Sequence, residues 1–115
     1  MTRLKKVPSV FYQTKDGVRP VRDFLLALPC EDRRIIGNDI ATVKYGWPIG
    51  KPTCAPLGLG LWEVRSSLTS NRIARVIFTL HEDRMWLLHG FIKKTQKTPS
   101  SEMDIARKRK KEVKK

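Results

Sequence analysis

The chain has 115 residues, with 24 lysines and arginines against 11 aspartates and glutamates, a formal charge of +13. One domain of this length buries roughly two-thirds of its unfolded surface, and so strong a positive potential calls for a polyanionic or acidic partner. No apolar stretch approaches the roughly 18 residues that span a bilayer, Met1–Pro8 leads into no secretory apolar run, and Cys30 and Cys54 lack metal-ligand spacing and have no need to pair.

The expectation is therefore a single reduced, cytoplasmic domain over residues 1–115, with no membrane contact. Its charge is uneven. Residues 1–60 hold 10 basic and 5 acidic side chains, and residues 61–115 hold 14 and 6, so the C-terminal half is the expected docking surface.

Pro8–Thr14 is rich in strand formers and stops at Lys15-Asp16-Gly17, a turn signal. In Arg19–Leu28 the period changes: Val21, Phe24, Leu25 and Leu28 fall on one helical stripe, with Pro20 suited to the first turn. Pro29 ends that helix. Glu31–Tyr45 follows as a second helix, with Glu31 and Asp32 where the macrodipole favours negative charge and Ile36, Ile40 and Val43 on its apolar stripe. Trp47–Gly60, punctuated by proline and glycine, reads as an irregular connection.

Leu61–Ser66 and Ile73–Leu80 are strands of a hairpin. After the polar turn at His81–Arg84 comes Met85–Ile92, apolar on both faces and so expected inside the sheet. Pro99, with Ser101 and Asp104, signals a helix start. Arg107–Lys115 holds seven basic residues and one acidic one, a basic tail expected to be flexible until it meets a partner. The fold class is α+β, in the order β-α-α-β-β-β-(α): a small antiparallel sheet, mixed at its first strand, with two N-terminal helices on one face.

Two groups of residues carry chemistry. Arg65 and Arg75 flank the hairpin turn from inside their strands, where cross-strand like charges are mildly destabilising. Either a bound anion offsets the repulsion, or Glu63 and Glu82 pair with them, or both point to water. Lys93, Lys94 and Lys97 follow the apolar strand, with Thr95, Gln96 and Thr98 among them; a rigid strand ending in cationic donors positions charge against a phosphate. His89 is either a hydrogen-bonded core histidine or a titrating group. Trp47, Trp62 and Trp86 read as packing. Asp16, Asp23, Asp32, Asp39 and Asp104 are scattered without metal spacing, so no metal and no cofactor are expected.

Several strings are similar to the phage-derived branch of the RelE/HigB toxin family. They are G-L-W-E-V-R at Gly60–Arg65, R-V-I-F at Arg75–Phe78 and L-L-H-G-F-I-K-K-T-Q-K-T-P at Leu87–Pro99. The early F-Y-Q-T-K-D-G-V-R-P-V-R-D-F-L-L-A-L-P, Phe11–Pro29, extends the likeness over nearly the whole chain. The resemblance implies a RelE-like fold and the toxin of a type II toxin–antitoxin system. Such a toxin is a small basic endoribonuclease that enters the ribosomal A site and cleaves the bound mRNA. It further implies neutralisation by a small acidic or amphipathic antitoxin, with operator DNA engaged only through that antitoxin.

By residue type and place, Arg65 and Arg75 match the family's sheet arginines, and Lys93 and Lys94 match the basic pair after its last strand. These four are the expected catalytic residues, and Arg72, Lys97, Arg107 and Arg109 are expected to bind RNA. Some members carry a tyrosine or histidine near the C-terminus, and the segment after Pro99 contains neither. The rival class is a non-enzymatic binder: a ParE-like gyrase poison or another basic nucleic-acid- or protein-binding module, which fold alone does not separate from a nuclease.

Overall fold

Two helices, a four-strand meander and a third helix follow a short first strand in a computed structural model that describes residues 7–48, 50, 53–93 and 98–113. Strand β1 (Ser9–Phe11) precedes helices α1 (Pro20–Leu26) and α2 (Cys30–Tyr45), then strands β2 (Cys54–Gly58), β3 (Leu61–Ser67), β4 (Ile73–His81) and β5 (Arg84–Lys93), and helix α3 (Ser100–Val113). The sheet order is β1-β5-β4-β3-β2, antiparallel throughout except where β1 runs parallel to β5. This is the α+β architecture expected, with β5 inside the sheet between β1 and β4.

The amphipathic stripes fix which face each helix covers. Pro20 opens α1, and Val21 is buried with Phe24 and Leu25 packed beside it. Ile36, Ile40 and Val43 of α2 join Val64, Ala74, Val76, Phe78, Met85 and Leu87 from the sheet in one apolar core. At Gly90 the sheet meets α1 so closely that an added Cβ would lie 2.5 Å from Phe24 Cδ2. Only glycine fits beneath that ring.

Two expectations are corrected. Part of the Trp47–Gly60 connection is strand β2, paired with β3 from Cys54↔Val64 to Gly58↔Leu61. It escapes the period-two pattern because it is an edge strand, where Pro56 is tolerated, and because Gly58, Leu59 and Gly60 turn tightly into β3 with φ of 89°, 57° and 78°. The residues from Arg107 to Val113, expected as a flexible tail, are the second half of α3. That helix lies on the sheet face opposite α1 and α2. Ala106 is fully buried, and Met103 and Val113 pack against Leu61, Ile77, Leu88 and Phe91. A small residue at the contact lets the helix approach closely, and polar bonds described below hold the rest. No helix among the described residues is long and apolar enough to cross a membrane.

One irregularity aims a functional side chain. Ile77 pairs with His89 but Phe78 pairs with Leu87, which leaves Leu88 as the extra residue of a β-bulge. Strict alternation would put His89 on the same face as Leu87, in the core beneath α1 and α2. The bulge turns it to the α3 face instead.

Candidate functional site

On the α3 face, β3 presents Leu61, Glu63, Arg65 and Ser67, and β4 presents Ile73, Arg75, Ile77 and Thr79. Arg65 stands directly opposite Arg75, Arg75 opposite Phe91, and Ile73 opposite Lys93. The like-charged pair is held by one carboxylate. Arg65 Nε donates to Glu63 Oε1 at 2.7 Å, and Arg75 Nη1 donates to the same oxygen at 3.0 Å. Thr98, just ahead of α3, closes the ring: its hydroxyl donates to Glu63 Oε2 at 2.8 Å and accepts from Arg75 Nη1 at 2.9 Å.

Burial ranks these groups. Glu63 and Arg75 are 0% and 1% exposed, whereas the Arg65 side chain keeps 32% of its surface open. Removing a carboxylate and a guanidinium from water is costly unless each is well bonded, and here both oxygens of Glu63 are engaged. Two guanidiniums thus share one carboxylate oxygen. The pair opens on a cavity of about 420 Å³ lined by Ile35 and Asp39 of α2, Thr53, Arg65 and Ser67 of β3, and Ile73 and Arg75 of β4. A concave site with a fixed cation pair at its floor and hydroxyls at its rim suits an anionic oxygen cluster such as phosphate.

The expected residues fall into three groups. Arg65 and Arg75 line this cavity, and Lys93 is the register partner of Ile73, another of its lining residues. Lys94 and Lys97 lie outside the described residues. Arg72, Arg107 and Arg109 are placed elsewhere. Arg72 spans from the β3–β4 turn to α2, reaching Asp32 Oδ2 at 3.0 Å, while its Nε donates to the Thr69 carbonyl at 3.1 Å. Arg107 sits on the exposed side of α3, bonded to Asp104 at 2.9 Å. Arg109 turns inward: it donates to the Leu88 carbonyl at 2.9 Å, lies 3.3 Å from His89 Nδ1 and covers the Tyr12 ring at 5.6 Å from its centroid. Burial lowers the Arg109 pKa from its usual value.

His89 is a brace between the sheet and α3. Arg109 carries only donors, so His89 Nδ1 accepts from it and the ring proton resides on Nε2, which donates to Glu102 Oε1 at 3.1 Å. Both ring nitrogens are occupied, and the ring stacks on Phe91 at 5.6 Å between centroids. The ring is thus partly buried and hydrogen-bonded on both sides. A second brace joins the Tyr12 hydroxyl to Glu112. Burial, and then this bond to a carboxylate, push the Tyr12 pKa up. Burial also pushes the Cys54 thiol up to about 11, so it remains an unreactive core group.

Sequence reasoning named Thr98 only as one donor among the lysines, Asp39 only as one of the scattered aspartates, and Glu63 only as a partner for the arginines. The alternation E-V-R in β3 was a usable signal, since period two puts Glu63 and Arg65 on one face. Among the described residues, no group of three or more His, Cys, Asp or Glu side chains is placed to hold a metal ion.

Fold and site together define a small, basic, RelE-like α+β domain with a carboxylate-clamped arginine pair opening on a cavity. The chain belongs to the phage-derived protein Gp49-like (DUF891) family, which it matches over residues 23–111. That family is a toxin-like one of toxin–antitoxin systems. No curated protein matches the chain.

Proposed function

We propose that the protein is the toxin of a type II toxin–antitoxin system, a metal-independent endoribonuclease that cleaves mRNA on the ribosome. The observation that carries this reading is the shared carboxylate: Arg65 and Arg75 both bond Glu63 Oε1, which fixes two guanidiniums side by side at the cavity. In this reading the scissile phosphate docks on Arg65, the more exposed of the pair. Arg75 holds the local field from beneath. Lys93, at the end of rigid β5, stabilises the negative charge that grows on the phosphate and gives a proton to the leaving oxygen. Preorganised donors of this kind act where charge develops in the transition state. The family membership and the resemblance of Leu87–Pro99 to the mRNA-cleaving branch support the same assignment.

A toxin so basic needs a partner that covers its charged face, and an acidic or amphipathic antitoxin is the expected one. The α3 residues Arg107, Lys108 and Lys111 then serve in docking on ribosomal RNA.

The test is cleavage of a defined mRNA on programmed ribosomes with excess chelator and fixed ribosome integrity. A cut that leaves a 2′,3′-cyclic phosphate and a 5′-hydroxyl is the expected result. A requirement for added divalent metal in the cutting step overturns the metal-independent mechanism. If expression in cells disturbs DNA topology before translation, the gyrase-poison class replaces the nuclease.

A further inference from the structure

Attack by a ribose 2′-hydroxyl requires a group that takes its proton, and neither the family likeness nor the arginine pair supplies one. We propose that Asp39 is that group: the general base of the cavity, a catalytic residue on α2. The inference rests on the nuclease reading above and assigns one of its missing parts.

Elimination around the cavity leads to it. Of the described lining residues, Arg65 and Arg75 are guanidiniums that stay protonated. Thr53 and Ser67 offer neutral hydroxyls, and Ile35 and Ile73 offer none. Asp39 is the one carboxylate among the described lining residues. Glu63 lies close by but is fully buried, with both oxygens already bonded to Arg65, Arg75 and Thr98. His89 has both ring nitrogens occupied. Among the described residues, the Asp39 carboxylate has no ion-pair or hydrogen-bond partner.

Its placement suits the task. Asp39 lies one turn beyond Ile35, so the two form one wall of the cavity. The neighbouring stripe of Ile36, Ile40 and Val43 is almost wholly buried against the sheet, which fixes the helix that carries it. Catalytic groups are held best on rigid elements with packed support.

Electrostatics favour the same role. An ionised carboxylate beside a bound phosphate is repulsive, so a purely structural aspartate here weakens the anion site. In a base, that repulsion is relieved along the reaction. As negative charge grows on phosphorus, Asp39 takes up a proton and loses its own charge, and the arginine pair then faces the phosphate alone.

The step balances as follows. The Asp39 carboxylate accepts the 2′-hydroxyl proton, and O2′ forms a bond to phosphorus. The bond from phosphorus to O5′ breaks with its electron pair on O5′, which takes a proton from the Lys93 ammonium. The products are a 2′,3′-cyclic phosphate and a 5′-hydroxyl end, and solvent resets both side chains.

The experiment is single-turnover cleavage on saturating programmed ribosomes across a pH series, with wild type, Asp39→Asn and Asp39→Glu. General-base contributions are of order 10²–10⁴-fold. Asp39→Asn is expected to lose that much rate at neutral pH, to bind ribosomes at least as tightly as the wild type and to unfold at the same temperature. Its residual rate is expected to lack the acid limb of the wild-type pH profile, and Asp39→Glu is expected to restore that limb. Cleavage by Asp39→Asn at the wild-type rate, or with the acid limb intact, overturns the assignment and leaves the nuclease reading standing. Failure of the wild type to cleave at any pH overturns the nuclease reading and Asp39 with it.

Discussion

The two faces of the sheet are stabilised by different physics. Beneath α1 and α2 the contact is mainly apolar: Val64, Val76, Phe78, Met85 and Leu87 meet Val21, Ile36 and Val43, with the Arg72–Asp32 ion pair at the β3–β4 turn. Beneath α3 a smaller apolar cluster is ringed by ionisable groups, each held by specific partners: Glu63 by Arg65, Arg75 and Thr98; His89 by Glu102 and Arg109; Tyr12 by Glu112. An apolar face tolerates graded change, because each lost methyl group costs in proportion to area and cavity. A face built from buried charge is all-or-none at each clamp, since an unpaired charge costs far more than a smaller side chain. The face that is harder to build is the one that carries the arginine pair.

The largest way to break this contrast is Arg75→Leu. It leaves the buried Glu63 with Arg65 and Thr98 alone, and removing one partner of a buried pair costs about 3–5 kcal/mol. Chemical denaturation is expected to show that loss, and pairing it with Glu63→Leu is expected to recover part of it, because a matched apolar pair needs no partner. A double variant no more stable than Arg75→Leu alone would show that the clamp is not the source. Activity is lost in both.

The apolar face responds in the opposite sense. Gly90→Val adds bulk where even a Cβ would lie 2.5 Å from Phe24 Cδ2, and overpacking of this kind costs about 1–3 kcal/mol. Adding Phe24→Ala relieves the clash, so the double variant should be less destabilised than the two single effects sum to. Simple additivity in the denaturation midpoints would count against direct contact.

Arg65→Ala separates stability from chemistry. Its side chain is partly open to water, and Arg75 and Thr98 still hold Glu63 without it, so its loss costs folding less than the loss of Arg75. Loss of a transition-state cation costs on the order of 10²-fold in rate. A near-native midpoint with strongly reduced mRNA cleavage is the expected pair of results. Unaltered cleavage would move the phosphate away from Arg65.

Much of this division was legible in the chain. The 3.6-residue stripe of Ile36, Ile40 and Val43 and the alternation of Leu61–Ser67 state their faces directly, because each element keeps one period throughout. Two features were hidden for definite reasons. The bulge at Leu88 changes the phase of β5 halfway along, so alternation from Leu87 puts His89 on the wrong side. Helix α3 offers so little apolar surface that its composition resembles a solvated charge run. Its docking depends on Arg109 and Glu112 finding Leu88, His89 and Tyr12, contacts that span 20 or more positions and leave no local signature. Asp39 was hidden for a similar reason. Nothing in its neighbourhood along α2 marks it, and only the packing of α2 on β3 brings it to the same cavity as Arg65.

The smallest expected effect tests the outer clamp of α3. Tyr12 donates its hydroxyl proton to Glu112, and burial and this bond together raise its pKa above the ordinary 10.0. In the unfolded chain the phenol ionises near that ordinary value, whereas in the folded protein it holds its proton to higher pH. Folding is therefore favoured in full below pH 10 or so. The contribution falls as pH rises through the raised folded value, because the unfolded state gains stability by releasing a proton that the folded state keeps. Tyr12→Phe removes the hydroxyl and keeps the ring under Arg109, so it should cost about 0.5–1.5 kcal/mol at neutral pH, the usual value of one hydrogen bond. Measured by denaturation along a pH series, the gap between wild type and Tyr12→Phe should stay constant through neutrality and narrow above pH 10. A gap that does not change with pH would mean that the phenol titrates alike in both states, and that Glu112 does not hold α3 to the sheet through it.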